Sequence, residues 1–328
     1  VIRGNVIEES QLNRHPQRNA AIGSLIQAKD LYRKYKNIAA VDGITFHVEP
    51  GETYGLLGPN GAGKTTTMRM LSGLTPVDSG TLTVAGIDVV QDSRSVREIM
   101  GVVTQHDGLD TGLTVYQNLF LYGFLIGLSK SRAQKRTHEV LEFFNLRDRS
   151  GANVYELSGG MKRRLAIARS MMSSPTVIVL DEPSTGLDPQ SRNRVWEELA
   201  ILKESGVTVL LSTHYMEEAA ILCDRLSIMD RGKILDEGTP DQMILRHAPK
   251  EVAQVRVAPG SLRRVRDYLN KREISFREVG ALLSVTGTDG VTPDLSGLDG
   301  VAGVRTSYRV GNLEDVFLTL TGRELRDG

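Results

Sequence analysis

This sequence has a single cysteine, no long apolar run and no excess of charge of either sign. Cys223 is the only cysteine among 328 residues, so an internal disulfide is impossible and a reducing compartment is expected. Lysine and arginine together number 40, and aspartate and glutamate also number 40. Because nucleic-acid-binding proteins usually carry a basic excess, this neutrality disfavours that class.

The apolar stretches are too short to cross a bilayer, which takes about 18 or more consecutive apolar residues. The longest, such as 207–211, have the length of a strand. The polar N-terminal segment also lacks the apolar core of a signal peptide. We therefore expect no transmembrane segment and no signal peptide, so any association with a membrane requires a partner or a surface patch.

Strand-like and helix-like segments alternate along most of the chain, whereas residues 1–26 lack periodicity and predict an N-terminal arm. The run 177–180 is wholly apolar, as are strands of a parallel sheet that is covered on both faces. This alternation predicts an α/β fold with a mostly parallel sheet. Helical signals dominate 107–159, and the pattern changes near residue 248, where strands and helices of a small α+β domain are predicted.

The strongest motif is a phosphate-binding loop, G-x-x-x-x-G-K-[ST], between a predicted strand and a predicted helix. Its glycines let backbone N–H groups turn toward phosphates, and the helix N-terminus adds partial positive charge. We expect Lys64 to reach the β- and γ-phosphates and the Thr65 hydroxyl to bind Mg²⁺. The nucleotide-binding segment comprises Gly58, Pro59, Asn60, Gly61, Ala62, Gly63, Lys64, Thr65 and Thr66.

Two adjacent carboxylates follow the apolar run 177–180. Asp181, at the end of the strand, is expected to hold Mg²⁺, and Glu182 to orient and deprotonate the attacking water. General-base help of this kind typically contributes about 10²- to 10⁴-fold to a rate. Two acidic residues that merely cap a strand are the alternative, but the phosphate-binding loop upstream favours the catalytic interpretation.

A second anion-binding sequence, Leu-Ser-Gly-Gly-Met at 157–161, precedes a predicted helix. A serine and two glycines at a helix N-terminus suit an anion. Two phosphate sites in one chain make sense if two protomers pack head to tail and share them. With this motif the sequence resembles the ATP-binding-cassette (ABC) family, whose signature would be Ser158, Gly159 and Gly160.

The resemblance spans about 26–243 and implies roles for four further residues. Tyr35 resembles the aromatic residue that stacks on adenine. Gln105 resembles the glutamine that contacts Mg²⁺ and water and senses the membrane partner. Asp188 would cross the dimer interface while also capping a helix, and His214 resembles the switch histidine at the γ-phosphate. Taken alone, each of these residues is also compatible with a structural role.

The same resemblance implies a P-loop NTPase fold in 27–247, with a RecA-like parallel sheet, an antiparallel β subdomain and the helical signature subdomain. Residues 248–328 would be an accessory or regulatory domain, which in similar exporters is tied to assembly. Within the family, three stretches resemble the NodI-like and DrrA-like ATPases of type-2 ABC exporters. These stretches are 157–165, 213–224 and 313–322.

Membership of this branch implies an ATPase subunit on the cytoplasmic face of the cell membrane. It would bind ATP and Mg²⁺, pair with a second cassette (a homodimer), and power export of a drug, lipid or glycolipid through separate transmembrane permease subunits. No nucleic-acid partner is expected. The catalytic residues would be Glu182, His214 and Lys64, and the metal ligands Thr65, Gln105 and Asp181.

Four alternatives compete with this interpretation. A soluble ABC ATPase acting on nucleic acid or ribosomes usually carries two cassettes or long insertions, which this chain lacks. A P-loop kinase or GTPase leaves the signature unexplained, and the guanine motif Asn-Lys-x-Asp is absent. A silent regulatory subunit requires a broken motif, and none is broken. An importer stays open, and the sequence does not reveal the substrate.

Overall fold

The computed structural model describes residues 23–287 and 293–322. Residues 1–22, which make up most of the predicted N-terminal arm, lie outside the described residues. The chain forms two compact units that divide between Glu237 and Gly238. This division falls earlier in the chain than the predicted boundary after residue 247.

The first unit contains ten strands and seven helices within the described residues. In chain order they are β1 (Ile26–Tyr35), β2 (Ile38–Val48), β3 (Thr53–Leu57), α1 (Lys64–Leu71), β4 (Ser79–Val84), β5 (Ile87–Asp88), α2 (Ser93–Glu98), β6 (Met100–Val103), α3 (Val115–Leu125), α4 (Lys130–Phe143), α5 (Gly159–Ser170), β7 (Val177–Asp181), α6 (Pro189–Glu204), β8 (Thr208–Thr213), α7 (Met216–Leu222), β9 (Arg225–Asp230) and β10 (Lys233–Gly238).

The core of this unit is a six-stranded sheet with the order β10-β9-β3-β8-β7-β6. Strands β9, β3, β8, β7 and β6 pair in parallel, and every residue of β3, β7 and β8 is buried. Strands that are covered on both faces typically consist of apolar or small residues. The parallel core sheet was predicted from these runs and is confirmed.

Strands β9 and β10 form a hairpin. Its two-residue turn consists of Arg231 and Gly232, both of which have positive φ, 48° and 80°. Positive φ at both central residues is the requirement of a type I′ turn, the favoured connection of a tight hairpin.

A second, antiparallel sheet has the order β2-β1-β4-β5. The segment expected to be helical, about 107–159, contains α3 and α4 and leads into α5. Helix α3 begins with a capping box in which Thr114 and Gln117 bond to each other's backbone N–H groups. None of the helices in the described parts of the chain combines the length and the hydropathy needed to span a membrane.

Trp196, the only tryptophan, joins α6 to α7. Its indole N–H donates to Oε1 of Glu218 over 2.9 Å, and both side chains are buried. Burial raises the pKa of Glu218, and hydrogen-bonding neighbours oppose that shift only in part. Helix α6 begins directly after Asp188, and α7 begins shortly after His214. This hydrogen bond therefore connects the two helices that follow these residues.

The second unit contains three helices and four strands within its described residues. They are α8 (Pro240–His247), β11 (Glu251–Val257), α9 (Leu262–Lys271), β12 (Phe276–Val279), β13 (Leu282–Val285), β14 (Val304–Val310) and α10 (Leu313–Thr321).

The strands of this unit form an antiparallel sheet with the order β12-β13-β11-β14. Helix α9 covers one face, where Val265 and Leu269 pack with Val255 and Leu283. Helix α8 packs against α10 and buries Met243, which is why the unit begins before the predicted boundary. The α+β class is confirmed, and a role in assembly or regulation stays a prediction.

Candidate nucleotide-binding site

The glycine-rich loop joins the end of β3 to the start of α1. The N–H of Gly58 donates to the carbonyl of Thr213, and the N–H of Gly232 donates to the carbonyl of Ala62. Helix α1 has no side-chain cap at its N-terminus. Because the first N–H groups of a helix have no intrahelical partner, this uncapped end fits a phosphate.

Two glycines of the loop cannot carry a side chain without displacing backbone. A Cβ at Gly58 would lie 2.2 Å from the carbonyl oxygen of Met229, and one at Gly63 would lie 2.3 Å from that of Ala40. Gly63 also has φ of 106°, a conformation that residues with a Cβ rarely adopt. The loop backbone is therefore packed closely against β2 and the end of β9.

Lys64 is buried at the centre of the loop. Its ammonium donates to the carbonyls of Gly58 and Pro59 over 2.7 and 3.0 Å and lies 3.4 Å from Oε1 of Glu182. Burial lowers the pKa of Lys64, while the charge of Glu182 acts in the opposite direction.

Glu182 is the point at which the catalytic candidates meet. The Nδ1 atom of His214 lies 3.3 Å from the same Oε1, and the Thr185 hydroxyl donates to Oε2 over 3.1 Å. The contact with His214, followed by the charge of Lys64, outweighs burial and lowers the pKa of Glu182 to about 2. The structure thus brings Lys64, Glu182 and His214 into one cluster.

The backbone turns sharply at Glu182, whose φ is 49°. Such left-handed conformations are uncommon outside glycine and cluster at functional sites. The N–H of Glu182 donates to both the carbonyl and the hydroxyl of Ser212, each over 3.1 Å. These bonds to the end of β8 hold the turn that directs the carboxylate toward the loop.

Asp181 lies beside Thr65, the other side chain at the end of the loop that is predicted to bind Mg²⁺. The Thr65 hydroxyl donates to Oδ1 of Asp181 over 3.1 Å, and the Ser212 hydroxyl donates to the same oxygen over 2.5 Å. Gln105 lines a cavity of about 300 Å³ together with Thr65 and Asp181. Three oxygen-bearing side chains therefore share one cavity next to the glycine-rich loop.

This oxygen donor set fits Mg²⁺, which binds proteins through one or two carboxylates and keeps water and phosphate ligands. Among the described residues, no group of three or more His, Cys, Asp or Glu side chains could hold a metal ion. A metal held largely by phosphates does not require such a group, so Thr65, Gln105 and Asp181 stay as predicted ligands.

The signature lies apart from this cluster. Ser158 caps α5 by accepting a hydrogen bond from the N–H of Met161 over 3.3 Å, and both Ser158 and Gly159 are exposed. A Cβ at Gly160 would lie 2.6 Å from the Ser191 side chain. In the described parts of the chain, no hydrogen bond or ion pair joins Ser158, Gly159 or Gly160 to the glycine-rich loop.

Asp188 and Tyr35 occupy exposed positions. Asp188 caps α6 by accepting a hydrogen bond from the N–H of Ser191 over 3.0 Å, with Pro189 at the first helical position. Tyr35 ends β1, and the guanidinium of Arg33 lies 4.7 Å from its ring centre. The capping role of Asp188 is visible in the structure, whereas the interface role of Asp188 and the adenine contact of Tyr35 stay predictions.

Sequence reasoning missed two residues that hold this cluster. Ser212 was assigned only to a strand, although a serine within a wholly buried strand was a usable signal. Arg163 belongs to a basic run that is typical of a solvated helix face, yet its side chain is buried. Only the folded chain shows that its guanidinium bonds to the backbone around Glu182.

A glycine-rich loop between a parallel strand and a helix, with a carboxylate that follows another strand of the same sheet against its lysine, defines a P-loop nucleoside triphosphatase.

Comparison with known proteins narrows this class. The family model of ABC transporters matches residues 41–185. Nod factor export ATP-binding protein I of Cupriavidus metallidurans is 43% identical over 304 residues, 93% of this chain and 99% of that protein. Its namesake from Ralstonia nicotianae is 42% identical over 313 residues, 93% and 97% of the two chains. A dimeric ATP-binding cassette solved with ADP and phosphate, 25% identical, matches with a TM-score of 0.60 over 65% of this chain and 98% of that one.

The chain belongs to the ABC transporter family, as an ATP-binding subunit. It binds ATP and is an ATPase. The relatives are export proteins, which favours transport over the alternative of an ATPase acting on nucleic acid or ribosomes.

Substitution of Gly63 by alanine should impair ATP binding. The new Cβ meets the Ala40 carbonyl oxygen at 2.3 Å, and φ of 106° adds strain. Overpacking costs about 1–3 kcal/mol, and left-handed strain adds about 1–2 kcal/mol. We expect the dissociation constant for ATP, measured by calorimetry, to rise about 100-fold.

Gly43→Ala is the matched control, since Gly43 also has positive φ but its Cβ would meet no atom within 4 Å. It should keep the ATP affinity of the unaltered chain. Equal affinities for the two variants would contradict the close packing of the loop.

Proposed function

We propose that two copies of this chain bind two molecules of MgATP between them and use ATP hydrolysis to drive export through a separate membrane protein. One observation carries the proposal: Lys64, Glu182 and His214 meet at a single point, while the signature of the same chain faces solvent elsewhere. Each chain thus carries both halves of a nucleotide site, the cluster around Glu182 and the signature, but does not bring them together.

The metal would be held by Thr65, Asp181 and Gln105. Bound Mg²⁺ would neutralise charge that develops on the β- and γ-phosphates during transfer. Ser212 fixes one oxygen of Asp181 through its 2.5 Å hydrogen bond and would thereby orient this ligand.

Phosphate binding would rearrange the contacts of Glu182. Lys64 and His214 are the basic side chains in contact with its carboxylate, and both would be recruited by the γ-phosphate. The carboxylate would then be left to orient the attacking water and accept its proton. Lys64 and His214 would stabilise the charge on the phosphate oxygens, and the exposed face of Tyr35 would stack on adenine.

Loss of the Ser212 hydroxyl should raise the requirement for Mg²⁺. Ser212→Ala removes a hydrogen bond to Asp181, and residues that orient metal ligands typically contribute about 10- to 100-fold to metal affinity. We expect the Mg²⁺ concentration for half-maximal ATPase activity to rise about 10-fold or more.

Ser227→Ala serves as the matched control, because Ser227 is also buried in the central sheet and is hydrogen-bonded to the Tyr54 hydroxyl over 2.5 Å. Its Mg²⁺ requirement should match that of the unaltered chain. A similar requirement in both variants would speak against Asp181 as a metal ligand.

The exposed signature supports the shared site. Ser158 and Gly159 lie at the N-terminus of α5, where helix charge and backbone N–H groups favour an anion. In an isologous dimer each signature would face the γ-phosphate on the partner's loop. Bound ATP would then hold the two copies together, and hydrolysis would release them.

A mixture of Ser158→Arg and Lys64→Ala chains tests the shared site. Each variant alone should lose nearly all turnover, since every site of its homodimer carries a defect. In a mixed dimer one site carries both defects and the other carries neither. We expect the mixture to hydrolyse ATP faster than either variant; verified mixed dimers without recovery would reject independently working shared sites.

The membrane partner would dock on α3. Leu121, Phe124 and Leu125 are exposed to 43%, 42% and 83% and, at positions i, i+3 and i+4, lie along one side of the helix. A chain without a membrane-spanning helix in its described residues needs such a contact to work at the cytoplasmic face of a membrane. The resemblance to its branch implies drugs, lipids or glycolipids as substrates, and the relatives are named for export of Nod factors.

Leu125→Glu should weaken recruitment to the membrane without impairing the isolated enzyme. A charge placed within an apolar contact leaves a polar group unpaired. We expect co-purification with the membrane protein that accompanies the unaltered chain to fall about 10-fold, equivalent to about 1.4 kcal/mol. Ile201→Glu, a change at another exposed apolar residue, is the control; equal recovery of both variants would exclude α3 as the docking surface.

A further inference from the structure

Arg163 projects from the second turn of α5 into the interior of the first unit. It is 5% exposed. Its Nε and Nη2 donate to the carbonyls of Pro183 and Asp181, each over 2.8 Å. Its Nη1 donates to the Thr104 carbonyl over 2.7 Å and to Oδ1 of Asp107 over 3.3 Å. One guanidinium therefore connects α5 to two segments that are distant from each other in sequence, 104–107 and 181–183.

The carbonyls that Arg163 holds stand on both sides of one residue. Asp181 and Pro183 flank Glu182, whose backbone is in the strained left-handed region with φ of 49°. The guanidinium thus fixes the peptide group before Glu182 and the peptide group after Pro183. The bonds from Ser212 hold the N–H of Glu182, so the two residues hold different groups of the same turn.

The third carbonyl belongs to Thr104, which immediately precedes Gln105. Arg169, also on α5, donates to the carbonyls of Asp107 and Gly108 over 2.9 and 2.6 Å. Helix α5 consequently holds the segment 104–108 through two arginines, while its own N-terminus is the signature.

A lysine could not make these contacts. The guanidinium is a planar fork that directs several N–H groups at once, whereas an ammonium acts as a compact point charge. Burying an arginine carries a desolvation cost, which the ion pair with Asp107 and three carbonyls offset.

We propose that Arg163 is a positioning residue that holds Glu182 and Gln105 in register with the signature helix of the same chain. Its contacts are with backbone carbonyls and Asp107, so it acts through the backbone on either side of Glu182. A displacement of α5 in response to the partner's nucleotide would move the base and the glutamine segment of its own site. This last step rests on the shared site proposed above.

The first test compares Arg163→Gln and Arg163→Lys with Arg136→Gln in the full chain. Arg136 also donates a guanidinium to a carbonyl, that of Met171 at the end of α5, but it does not contact the catalytic segments. Since misplacement of a catalytic group by about 1 Å can cost about 100-fold, we expect kcat to fall about 100-fold in Arg163→Gln. The dissociation constant for ATP should stay within about threefold.

Arg163→Lys should be impaired nearly as much, because it restores the charge but not the fork. Arg136→Gln should keep kcat within about threefold of the unaltered chain, even if its melting temperature falls as far as that of Arg163→Gln. A kcat of Arg163→Gln within threefold of the unaltered chain would overturn the proposal. So would loss of ATP binding in parallel with kcat, since that outcome indicates general unfolding of the site.

The second test asks on which site Arg163 acts. Arg163→Gln chains are mixed with Ser158→Arg chains, so that a mixed dimer has both defects in one site if Arg163 serves the base of its own chain. Recovery of turnover above either variant is expected. Absence of recovery, in a preparation where the Lys64→Ala and Ser158→Arg mixture does recover, would overturn the proposal while leaving the shared site intact.

Discussion

The carboxylate of Glu182 shares one oxygen between Lys64 and His214, and the other parts of the site are arranged around this contact. A buried carboxylate is stable only with partners of opposite charge or with hydrogen bonds. In the proposed mechanism the γ-phosphate of ATP would take the same two partners. ATP binding would then replace one anion by another at Lys64 and His214, and the release of Glu182 would be a direct consequence of charge balance.

Rigid strands carry the groups that must not move. Asp181 and Ser212 end adjacent parallel strands in register, so their side chains lie close together without any adaptation of the loops. The signature, in contrast, lies on a helix and reaches the strand ends through Arg163. The central sheet thus provides a fixed frame, and in the proposed dimer α5 would be the element that is displaced relative to a second copy of the chain.

Motifs with a fixed spacing were predictable from sequence, because local backbone geometry alone dictates their residue types. Gly63 is an example, since its positive φ and the absence of a Cβ follow from the loop it forms. The burial of Arg163 was not predictable, because a basic residue on a helix has the same sequence pattern whether its side chain faces solvent or donates to a buried carbonyl. The left-handed turn at Glu182 depends on bonds to residues far away in sequence. Helix α8 has visible start signals in Thr239 and Pro240, but its assignment to the second unit depends on contact with α10.

The hydrogen bond between Trp196 and Glu218 has an optical consequence. With one indole in the chain, all tryptophan emission arises from a single, buried position between α6 and α7. The emission of an indole depends on the polarity and hydrogen bonding around it, and here the acceptor is a carboxyl group whose helix follows His214. The protein thus carries a native fluorophore at the junction of α6 and α7, the helices that follow Asp188 and His214, and no label has to be introduced to observe it.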